Sequence, residues 1–390
     1  MAVKILSVDD ELDLEILLTQ YFRRKIRKGE YEFSFAHNGL EALKMVLERK
    51  DFDIILSDIN MPEMDGLTLL TKLNEMRNPA LKCIMVSAYG DMGNIRTAMN
   101  NGAFDFATKP IDLDDLSRTI EKAIEEIEFI KQTQEEHSQL ESIKGDLVVA
   151  GEIQQAILPR QLPQIAEIAE HVDLYASMTP AKEVGGDFYD FFKIDDNRMG
   201  IVIADVSGKG VPASIFMAVS RTLLRATGMR GVPSDECLTS VNKMLCNESV
   251  DSMFVTMFYG IYNIKTGVME YTNAGHNPPY IIRAATGKAE ALPFSQDIVA
   301  GMFDDIVFTT QKLQLEQGDS LVMFTDGVTE AFNTNGEQFD ESGLEKSLEG
   351  MANEKAEDVT RKILNDVNTF AGEEPQSDDI TIMTLRRIKN

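Results

Sequence analysis

Short apolar runs alternate with amphipathic segments over the first third of the chain, and polar side chains stand where most of these runs end. The runs are VKILSV, YEFSFAH, DIILSD, IMVS and FDFATKP. Their length and composition predict buried strands, whereas intervening segments such as GLEALKMVLERK have helical spacing. Strands that alternate with helices predict a doubly wound α/β domain in residues 1–124, with a parallel sheet whose functional groups lie at the carboxyl ends of the strands.

A different period begins after Pro110, where apolar side chains recur at alternating spacings of three and four residues. This is the heptad pattern of a coiled coil. A first block consists of Leu113, Leu116, Ile120, Ala123, Ile127 and Ile130, and a second of Leu140, Ile143, Leu147 and Ala150. The second block is one residue out of phase, a step that overwinds a coiled coil. We expect a helical connector over residues 111–158 that forms a homodimer; the alternative is amphipathic helices folded back on their own domains.

Residues 159–390 change to a pattern dominated by short strands. The strand candidates are VDLYASM, DFYDFFKI, RMGIVIADV, FVTMFYGIYN, VMEYTNAG, PYIIRA, FTTQKLQLE, SLVMFTDG and ITIMTLRRI. Helical patterns follow Val211 and Pro233, and another spans about Glu354 to Phe370. Mostly antiparallel strands with segregated helices predict two packed sheets covered by helices.

The length, net charge and cysteine content of the chain narrow the classes of function that it can have. A chain of 390 residues exceeds a typical single core and favours two domains with a connector. Its net charge of −26 argues against nucleic-acid and anionic-membrane partners. The three cysteines lack metal-ligand spacing and predict reduced thiols, and the apolar runs fall short of the roughly 20 residues that span a bilayer. We therefore expect a cytoplasmic protein.

The predicted strands of residues 1–124 end in polar side chains of a characteristic order and spacing. They are Asp9 and Asp10, Asp58 in the motif DINMP, Ser87, and Lys109 before Pro110. This set resembles the receiver domain of two-component response regulators, a CheY-like, flavodoxin-like fold with a five-stranded parallel sheet. A single strand-end aspartate more often caps a helix, but five matching positions in order favour the receiver.

The resemblance implies a role for each of these residues. Asp58 is the expected phosphoacceptor, and a sensor histidine kinase or a phosphotransfer protein is the expected donor. Asp9 and Asp10 would hold a Mg²⁺ ion together with Asp58, and Asn60 would add its backbone carbonyl; carboxylates suit this hard cation. The positions that contact the phosphoryl group and act as the switch are Ser87, Phe106 and Lys109.

Four further acids lie at predicted strand ends, far apart in the second half of the sequence. They are Asp187 after two glycines, Asp205 at the end of IVIADV, Asp326 after LVMF, and Asp378 before ITIMTL. An acid at the end of a buried strand is costly unless a cation meets it. The four carboxylates therefore predict one oxygen-ligand metal site assembled by the fold.

Six motifs in the same segment carry a second resemblance. IQQAILP, VGGDFYD, ADVSGKGVPAS, NAGHNPP, FTDGVTEAFN and DDIT, in this order, resemble the SpoIIE/RsbU branch of the PPM-type metal-dependent serine/threonine phosphatases. The resemblance implies an α-β-β-α sandwich with two Mn²⁺ or Mg²⁺ ions. The implied metal and catalytic set is Asp187, Asp205 as the bridging acid, the carbonyl of Val206, Asp326 and Asp378. Two such ions can activate a shared water, so no protein nucleophile is needed.

Several neighbouring residues have more than one interpretation. The candidates for supporting the metal ligands are Gly186, Asp190, Asp379 and His276, although the two acids could equally cap backbone groups and the histidine could be structural. Lys209 either meets a phosphate or is a solvated turn lysine. Ser207 stands where eukaryotic relatives have a histidine, which leaves the general acid open.

Two functions remain in competition at the level of the sequence. The first is a response regulator whose output hydrolyses phosphoserine or phosphothreonine on a STAS-type anti-sigma-factor antagonist, under control of Asp58. The second is a catalytically weak adaptor that binds a sigma factor or an anti-sigma pathway protein. Clustered acids without a metal repel one another, and an adaptor has no reason to keep them. The intact set of four therefore favours the enzyme.

Overall fold

The computed structural model describes residues 2–88, 91–159, 166–248, 253–295 and 297–388. The chain divides into two compact units, Met1–Ile143 and Lys144–Asn390. Over these described ranges, no helix combines the length and the hydropathy needed to cross a membrane.

The first unit contains the predicted doubly wound α/β sheet. Its strands are β1 (Val3–Val8), β2 (Tyr31–Ala36), β3 (Ile54–Asp58), β4 (Lys82–Ala88) and β5 (Asp105–Lys109). Its helices are α1 (Leu12–Tyr21), α2 (Arg23–Arg27), α3 (Gly39–Glu48), α4 (Gly66–Glu75) and α5 (Met92–Asn100). The five strands are parallel in the order β2-β1-β3-β4-β5. Helices cover both faces of such a sheet, which is why β3 is apolar almost throughout and wholly buried.

One long helix, α6 (Leu113–Ile157), occupies the predicted connector. Four apolar residues of the first heptad block are buried in the core of the first unit, namely Leu116, Ile120, Ala123 and Ile127. The prediction that this block forms a dimer seam is therefore wrong. A helix that packs on its own domain needs the same three-and-four spacing as a coiled coil, so the sequence pattern could not separate the two. In the second block, Leu140 and Ile143 are 66% and 58% exposed.

The second unit contains ten strands and six further helices within its described residues. The strands are β6 (Val172–Thr179), β7 (Phe188–Lys193), β8 (Arg198–Val206), β9 (Val255–Asn263), β10 (Val268–Ala274), β11 (Tyr280–Ile282), β12 (Ala289–Ala291), β13 (Gln311–Gln314), β14 (Ser320–Phe324) and β15 (Ile380–Arg387). Helix α7 (Ala166–His171) precedes them, and the others are α8 (Val211–Gly228), α9 (Ser234–Glu248), α10 (Asp326–Thr329), α11 (Asp340–Leu348) and α12 (Ala356–Ala371). The nine predicted strands are present. The sequence did not predict β12, α7, α10 and α11, of which the first three are too short to show a clear period.

These strands form two five-stranded antiparallel sheets, in the orders β13-β10-β9-β8-β7 and β12-β11-β14-β15-β6. Successive side chains of β14 show how the layers stack. Leu321 and Met323 belong to the core that also contains residues of β8 and β9, whereas Val322 and Phe324 pack with residues of α11 and α12. Because alternate residues of a strand point to opposite faces, β14 is buried on both sides. The predicted α-β-β-α sandwich is confirmed.

Gly66, the first residue of α4, packs so closely against β3 that it has no room for a side chain. A Cβ atom at Gly66 would lie 2.1 Å from the carbonyl oxygen of Asp58 and 2.9 Å from Met85 Cε. We expect Gly66→Ala to destabilise this unit by about 1–3 kcal/mol, because the backbone of β3 must move. Gly93→Ala is the matched control, since a Cβ at Gly93 in α5 meets nothing within 4 Å. Urea denaturation of the full chain, followed by hydrogen exchange of β3 amides, measures both. Equal stability of the two variants would contradict the steric argument.

Candidate metal centres

The first acidic cluster lies at the carboxyl ends of β1 and β3, which are neighbours in the parallel sheet. Carboxylate oxygens of Asp9, Asp10 and Asp58 all lie within 4.8 Å of one another. Asp9 and Asp58 are buried and Asp10 is exposed. The sequence therefore placed these three acids together correctly, and the donor set fits a hard divalent cation such as Mg²⁺.

Lys109, at the end of β5, reaches into this cluster. Its Nζ lies 2.7 Å from Asp58 Oδ2, 2.9 Å from Asp9 Oδ2 and 3.2 Å from Glu11 Oε1. Burial opposes the charge of this ammonium group, but its hydrogen bonds to Asp58 and Asp9 raise the pKa of Lys109. Burial also raises the pKa of Asp9, against hydrogen bonds from the Glu11 backbone and Lys109. Lys109 thus compensates part of the negative charge of these acids. Its contact with Glu11 is one that the sequence did not predict.

The remaining receiver candidates surround Asp58 at the same edge of the sheet. Ser87 is fully buried near the end of β4, and its hydroxyl has no hydrogen-bond partner among the described residues. The backbone N–H of Asn60 donates to Asp58 Oδ1 at 3.4 Å. The ring of Phe106 in β5 is 36% exposed. A buried hydroxyl without a partner is available to an incoming oxygen atom.

The second acidic cluster is organised by the pairing of β7 with β8. Phe188 faces Ala204 in the antiparallel register, which brings Asp187, one residue before β7, opposite Asp205. The two carboxyl groups hydrogen-bond to each other. Burial, together with the charge of Asp205, raises the pKa of Asp187 well above its usual range. Burial, followed by the charge of Asp326, raises the pKa of Asp205 to about 7.

Two hydroxyl groups from the opposite sheet hold Asp187 in place. Thr325 Oγ1, after β14, and Thr381 Oγ1, in β15, each donate to Asp187 Oδ2 at 2.7 Å. Asp187 is 1% exposed, so both hydrogen bonds form out of contact with water. These threonines were not predicted from the sequence, although they lie within the motifs FTDG and DDIT. Their contacts join the two sheets at the acidic cluster.

Asp326 and Asp378 complete the set on the second sheet. Asp326 begins α10, and burial, followed by the charge of Glu330, raises the pKa of Asp326 to about 6. The charge of Asp378 acts on both Asp205 and Asp326. Lys209 lies 2.8 Å from Asp378 Oδ2 and donates to the carbonyl of Ser377 at 2.6 Å. Lys209 is therefore not a purely solvated turn residue, because it binds both Asp378 and the carbonyl of Ser377.

The backbone just before Asp187 lies very close to the backbone at the end of β8. A Cβ at Gly186 would lie 3.0 Å from the carbonyl oxygen of Val206. Gly186 therefore lies directly beside the carbonyl that the sequence analysis assigned as a ligand. The donors are carboxylate and carbonyl oxygens, which suit Mg²⁺ or Mn²⁺. Since the buried acids repel one another, a divalent cation between them would remove the cost of their charges.

Asp190 does not support this cluster, so that interpretation is corrected. Its oxygens lie 2.6 Å from Arg225 Nη1 and 3.1 Å from Arg221 Nη2, both on α8. The residue is fully buried, and its carboxylate is committed to these guanidinium groups. Asp187 and Asp190 are three positions apart along an extended segment, which places them on opposite faces of the sheet.

Asp379 and His276 lie close to the cluster but bind protein groups. Asp379 accepts hydrogen bonds from the backbone N–H groups of Ala181 at 2.8 Å and Gly186 at 2.6 Å. His276 Nδ1 lies 2.8 Å from Thr256 Oγ1, and Thr256 pairs opposite Asp205 in the sheet. Burial lowers the pKa of His276 to about 4, so this imidazole is neutral at pH 7. Asp379 thus shapes the loop that carries Asp187.

Two separate segments of the chain match known protein families. Residues 195–388 match the family described as stage II sporulation protein E (SpoIIE), and residues 5–121 match the response regulator receiver domain. The phosphoserine phosphatase RsbU of Bacillus subtilis is 32% identical over 248 residues, which cover 63% of this chain and 71% of RsbU. The chemotaxis protein CheY of Listeria monocytogenes is 38% identical over 122 residues, which cover 31% of this chain and 98% of CheY.

A solved structure shares the fold of the second half. The SiaA-PP2C domain of Pseudomonas aeruginosa superimposes with a TM-score of 0.55 at 21% identity. The match covers 64% of this chain and 98% of that domain. At this identity the likeness concerns the fold, and it agrees with the two-sheet sandwich described above.

The raised pKa values predict how pH affects the metal-free chain. An ordinary aspartate titrates near about 4, whereas Asp326 and Asp205 are raised to about 6 and about 7. Because the folded state holds these protons more tightly, the stabilisation is fully present below about pH 4 and is lost as pH rises through about pH 7.

Thermal unfolding of the second unit in EDTA, measured between about pH 5 and about pH 8, should therefore show stability falling with pH, and Asp205→Asn should flatten the slope. Asp196→Asn is the control, because Asp196 forms only an exposed ion pair with Lys193. Mn²⁺ should restore stability at the upper end. A slope that is unchanged in Asp205→Asn would show that this group does not titrate as described.

Proposed function

Because the chain belongs to the SpoIIE/RsbU-type family of PPM serine/threonine phosphatases and carries a response-regulator receiver domain, we propose that it dephosphorylates a partner protein under control of Asp58. The observation that carries this proposal is the buried pair of Asp187 and Asp205, flanked by Asp326 and Asp378. Such a pair is costly without cations and suits a centre that holds two of them.

The family is metal-dependent, and we propose two Mn²⁺ or Mg²⁺ ions held by Asp187, Asp205, the carbonyl of Val206, Asp326 and Asp378. When bound, such ions lower the pKa of a water, orient it toward phosphorus and neutralise the phosphate oxygens. Thr325 and Thr381 orient Asp187 for this task through their hydrogen bonds to its Oδ2.

Ser207, which stands where eukaryotic relatives have a histidine, is held by the backbone of Phe254. Its hydroxyl accepts a hydrogen bond from the backbone N–H of Phe254 at 3.0 Å, and its own N–H donates to the carbonyl of Phe254 at 2.9 Å. These contacts fix the turn after β8. We assign the leaving-group proton to water at this site, because the hydroxyl of a serine is a weak acid.

The proposed substrate is phosphoserine or phosphothreonine on a STAS-type anti-sigma-factor antagonist. The support is the likeness to RsbU, a phosphoserine phosphatase, over 71% of its length. Hydrolysis would break the P–O bond to the protein and release inorganic phosphate, with the serine or threonine oxygen taking a proton. We place this reaction in the cytoplasm.

In the receiver we propose that Asp58 accepts a phosphoryl group from a sensor histidine kinase or a phosphotransfer protein. An oxygen of Asp58 would attack phosphorus, and the P–N bond of the donor's phosphohistidine would break. Asp9, Asp10, Asp58 and the carbonyl of Asn60 would hold a Mg²⁺ ion, which would supply positive charge next to the phosphoryl group. Lys109 already binds Asp58 at 2.7 Å, so it can transfer this contact to a phosphoryl oxygen. Ser87 would bind another oxygen, and Phe106 would respond to that movement.

We propose that α6 transmits the receiver's state and that its second block forms the homodimer contact. Leu140 and Ile143 are largely exposed, which is unfavourable for apolar side chains without a partner. The first block remains in the receiver core, so the dimer seam is shorter than the sequence pattern predicts. We expect phosphorylation of Asp58 to raise phosphatase activity.

A catalytically weak adaptor is the less supported alternative. It would have no use for Asp187, Asp205 and Asp326, whose pKa values are raised by burial and by neighbouring negative charge. Replacement of these acids by neutral residues would stabilise an adaptor. Their joint presence in this chain supports the enzyme.

Asp205→Asn tests the phosphatase proposal. We expect hydrolysis of a phosphorylated STAS-type protein to fall at least about a thousandfold at saturating Mn²⁺, a loss of about 4 kcal/mol of barrier lowering, because the amide cannot bridge two cations. Release of inorganic phosphate measures the rate, and thermal unfolding confirms that the variant is folded. Asp196→Asn is the matched control at an exposed acid of the same unit. Retention of a tenth of the parent rate by Asp205→Asn would refute the two-metal assignment.

An insertion in α6 tests the coupling. One alanine inserted after His137 turns the downstream helix by about 100° about its axis, whereas seven residues restore the phase to within about 20°. We expect the single insertion to abolish the response of phosphatase activity to acetyl phosphate and the seven-residue insertion to preserve it. Asp58→Asn should not respond at all. If the single insertion responds like the parent, the signal does not travel through α6.

A further inference from the structure

Gln154 is a buried amide near the end of α6, within a stretch of the helix whose neighbouring side chains are largely exposed. It is 6% exposed, whereas Glu152 and Ile153 face solvent. Its Nε2 donates to the carbonyl of Gly185 at 2.6 Å, and its Oε1 accepts from the N–H of the same residue at 3.0 Å. A buried side chain that satisfies both backbone groups of one distant residue fixes that residue's position and orientation.

The backbone of α6 reaches the same loop one turn earlier. A Cβ at Gly151 would lie 2.2 Å from the carbonyl oxygen of Glu183, so the helix and the loop touch without an intervening side chain. The approach at Gly151 and the amide contact of Gln154 therefore act on neighbouring loop residues, 183 and 185. Together they dock the end of α6 on the segment that leads into Asp187.

The opposite side of this loop is held by Asp379. Its Oδ2 accepts from the N–H of Gly186 at 2.6 Å, and a Cβ at Gly185 would lie 2.3 Å from that oxygen. Gly186 in turn lies against the carbonyl of Val206. Gly185 and Gly186 are thus clamped between Gln154 and Asp379, directly before Asp187. A change in the contacts of Gln154 or Asp379 with these glycines would move the Asp187 carboxylate and change its distance from the Val206 carbonyl.

We infer that Gln154 is a positioning residue of the phosphatase centre, whose amide sets the Gly185–Gly186 segment so that Asp187 and Val206 face the same cations. This inference rests on the proposed metal set. It assigns to α6 a direct contact with the loop that carries a ligand, through a residue that touches neither substrate nor metal. Residues that orient metal ligands affect metal affinity and turnover when they are replaced.

Gln154→Met tests this role in the full-length chain, because methionine keeps the length and helix propensity of glutamine but removes both hydrogen bonds. Gln155→Met is the matched control; Gln155 is the next residue of the same helix, and its amide contacts Met178 Sδ at 3.1 Å rather than the loop. Mn²⁺ binding is measured by electron paramagnetic resonance in an Asp10→Asn background, which weakens the receiver's own Mn²⁺ site.

We expect Gln154→Met to weaken Mn²⁺ binding in the second unit by about 10- to 100-fold and to lower kcat, with the KM for the phosphoprotein unchanged at saturating Mn²⁺. Gln155→Met should match the parent in all three quantities. Gln154→Glu, which also lacks the donor to the Gly185 carbonyl, should behave like Gln154→Met. A merely structural role for Gln154 would lower thermal stability in EDTA without changing Mn²⁺ affinity in the folded protein.

The outcomes separate this inference from the proposed function. If Asp205→Asn is inactive but Gln154→Met binds Mn²⁺ and turns over like Gln155→Met, the phosphatase proposal stands and the role of Gln154 is refuted. If Asp205→Asn remains active, the metal set itself is wrong. Loss of the cooperative unfolding transition in both Gln154 variants would also overturn the inference, since Gln154 would then be a folding residue.

Discussion

The mutual repulsion of Asp187 and Asp205 is the constraint on which the second unit depends. Two carboxyl groups that face each other across paired strands, one of them fully buried, cannot both carry charge without compensation. The fold supplies partial compensation from the opposite sheet through Thr325 and Thr381. Within the described residues, Lys209 supplies positive charge at the edge of the cluster, where it binds Asp378. The remaining need for positive charge supports the proposal that this site binds metal ions.

The receiver solves the same problem in a different way. There a lysine on the outermost strand enters the acidic cluster and binds Asp9 and Asp58 together. A single positive side chain compensates two carboxylates in part and can be displaced when a phosphoryl group and a cation arrive. The two units thus place acids at strand ends by the same rule of topology, but one site is balanced by a flexible side chain and the other by fixed hydroxyl groups.

The sequence was sufficient for the fold class and for bringing distant acids together, because strand ends and strand order follow from hydrophobic pattern and turn chemistry. Asp190 could have been excluded from the metal site by its odd spacing from Asp187, a signal that was present in the strand period. The burial of Leu116 and Ile120 could not be foreseen, since an amphipathic helix has the same spacing on its own domain as in a dimer. The role of Gln154 was not predicted, because its partner Gly185 is 31 residues away. Gln154 binds the backbone of Gly185, and the pattern of side chains in a sequence does not indicate such a contact.

The close approach at Gly151 has a mechanical consequence. A side chain at position 151 would collide with the carbonyl of Glu183, so α6 must present a glycine to the loop at this point. Near the start of α6, Leu116 and Ile120 are buried in the core of the first unit, and this packing opposes rotation of the helix. Between them, residues 131–146 are exposed throughout. Helix α6 therefore packs closely near both of its ends and is exposed to solvent over the residues between them.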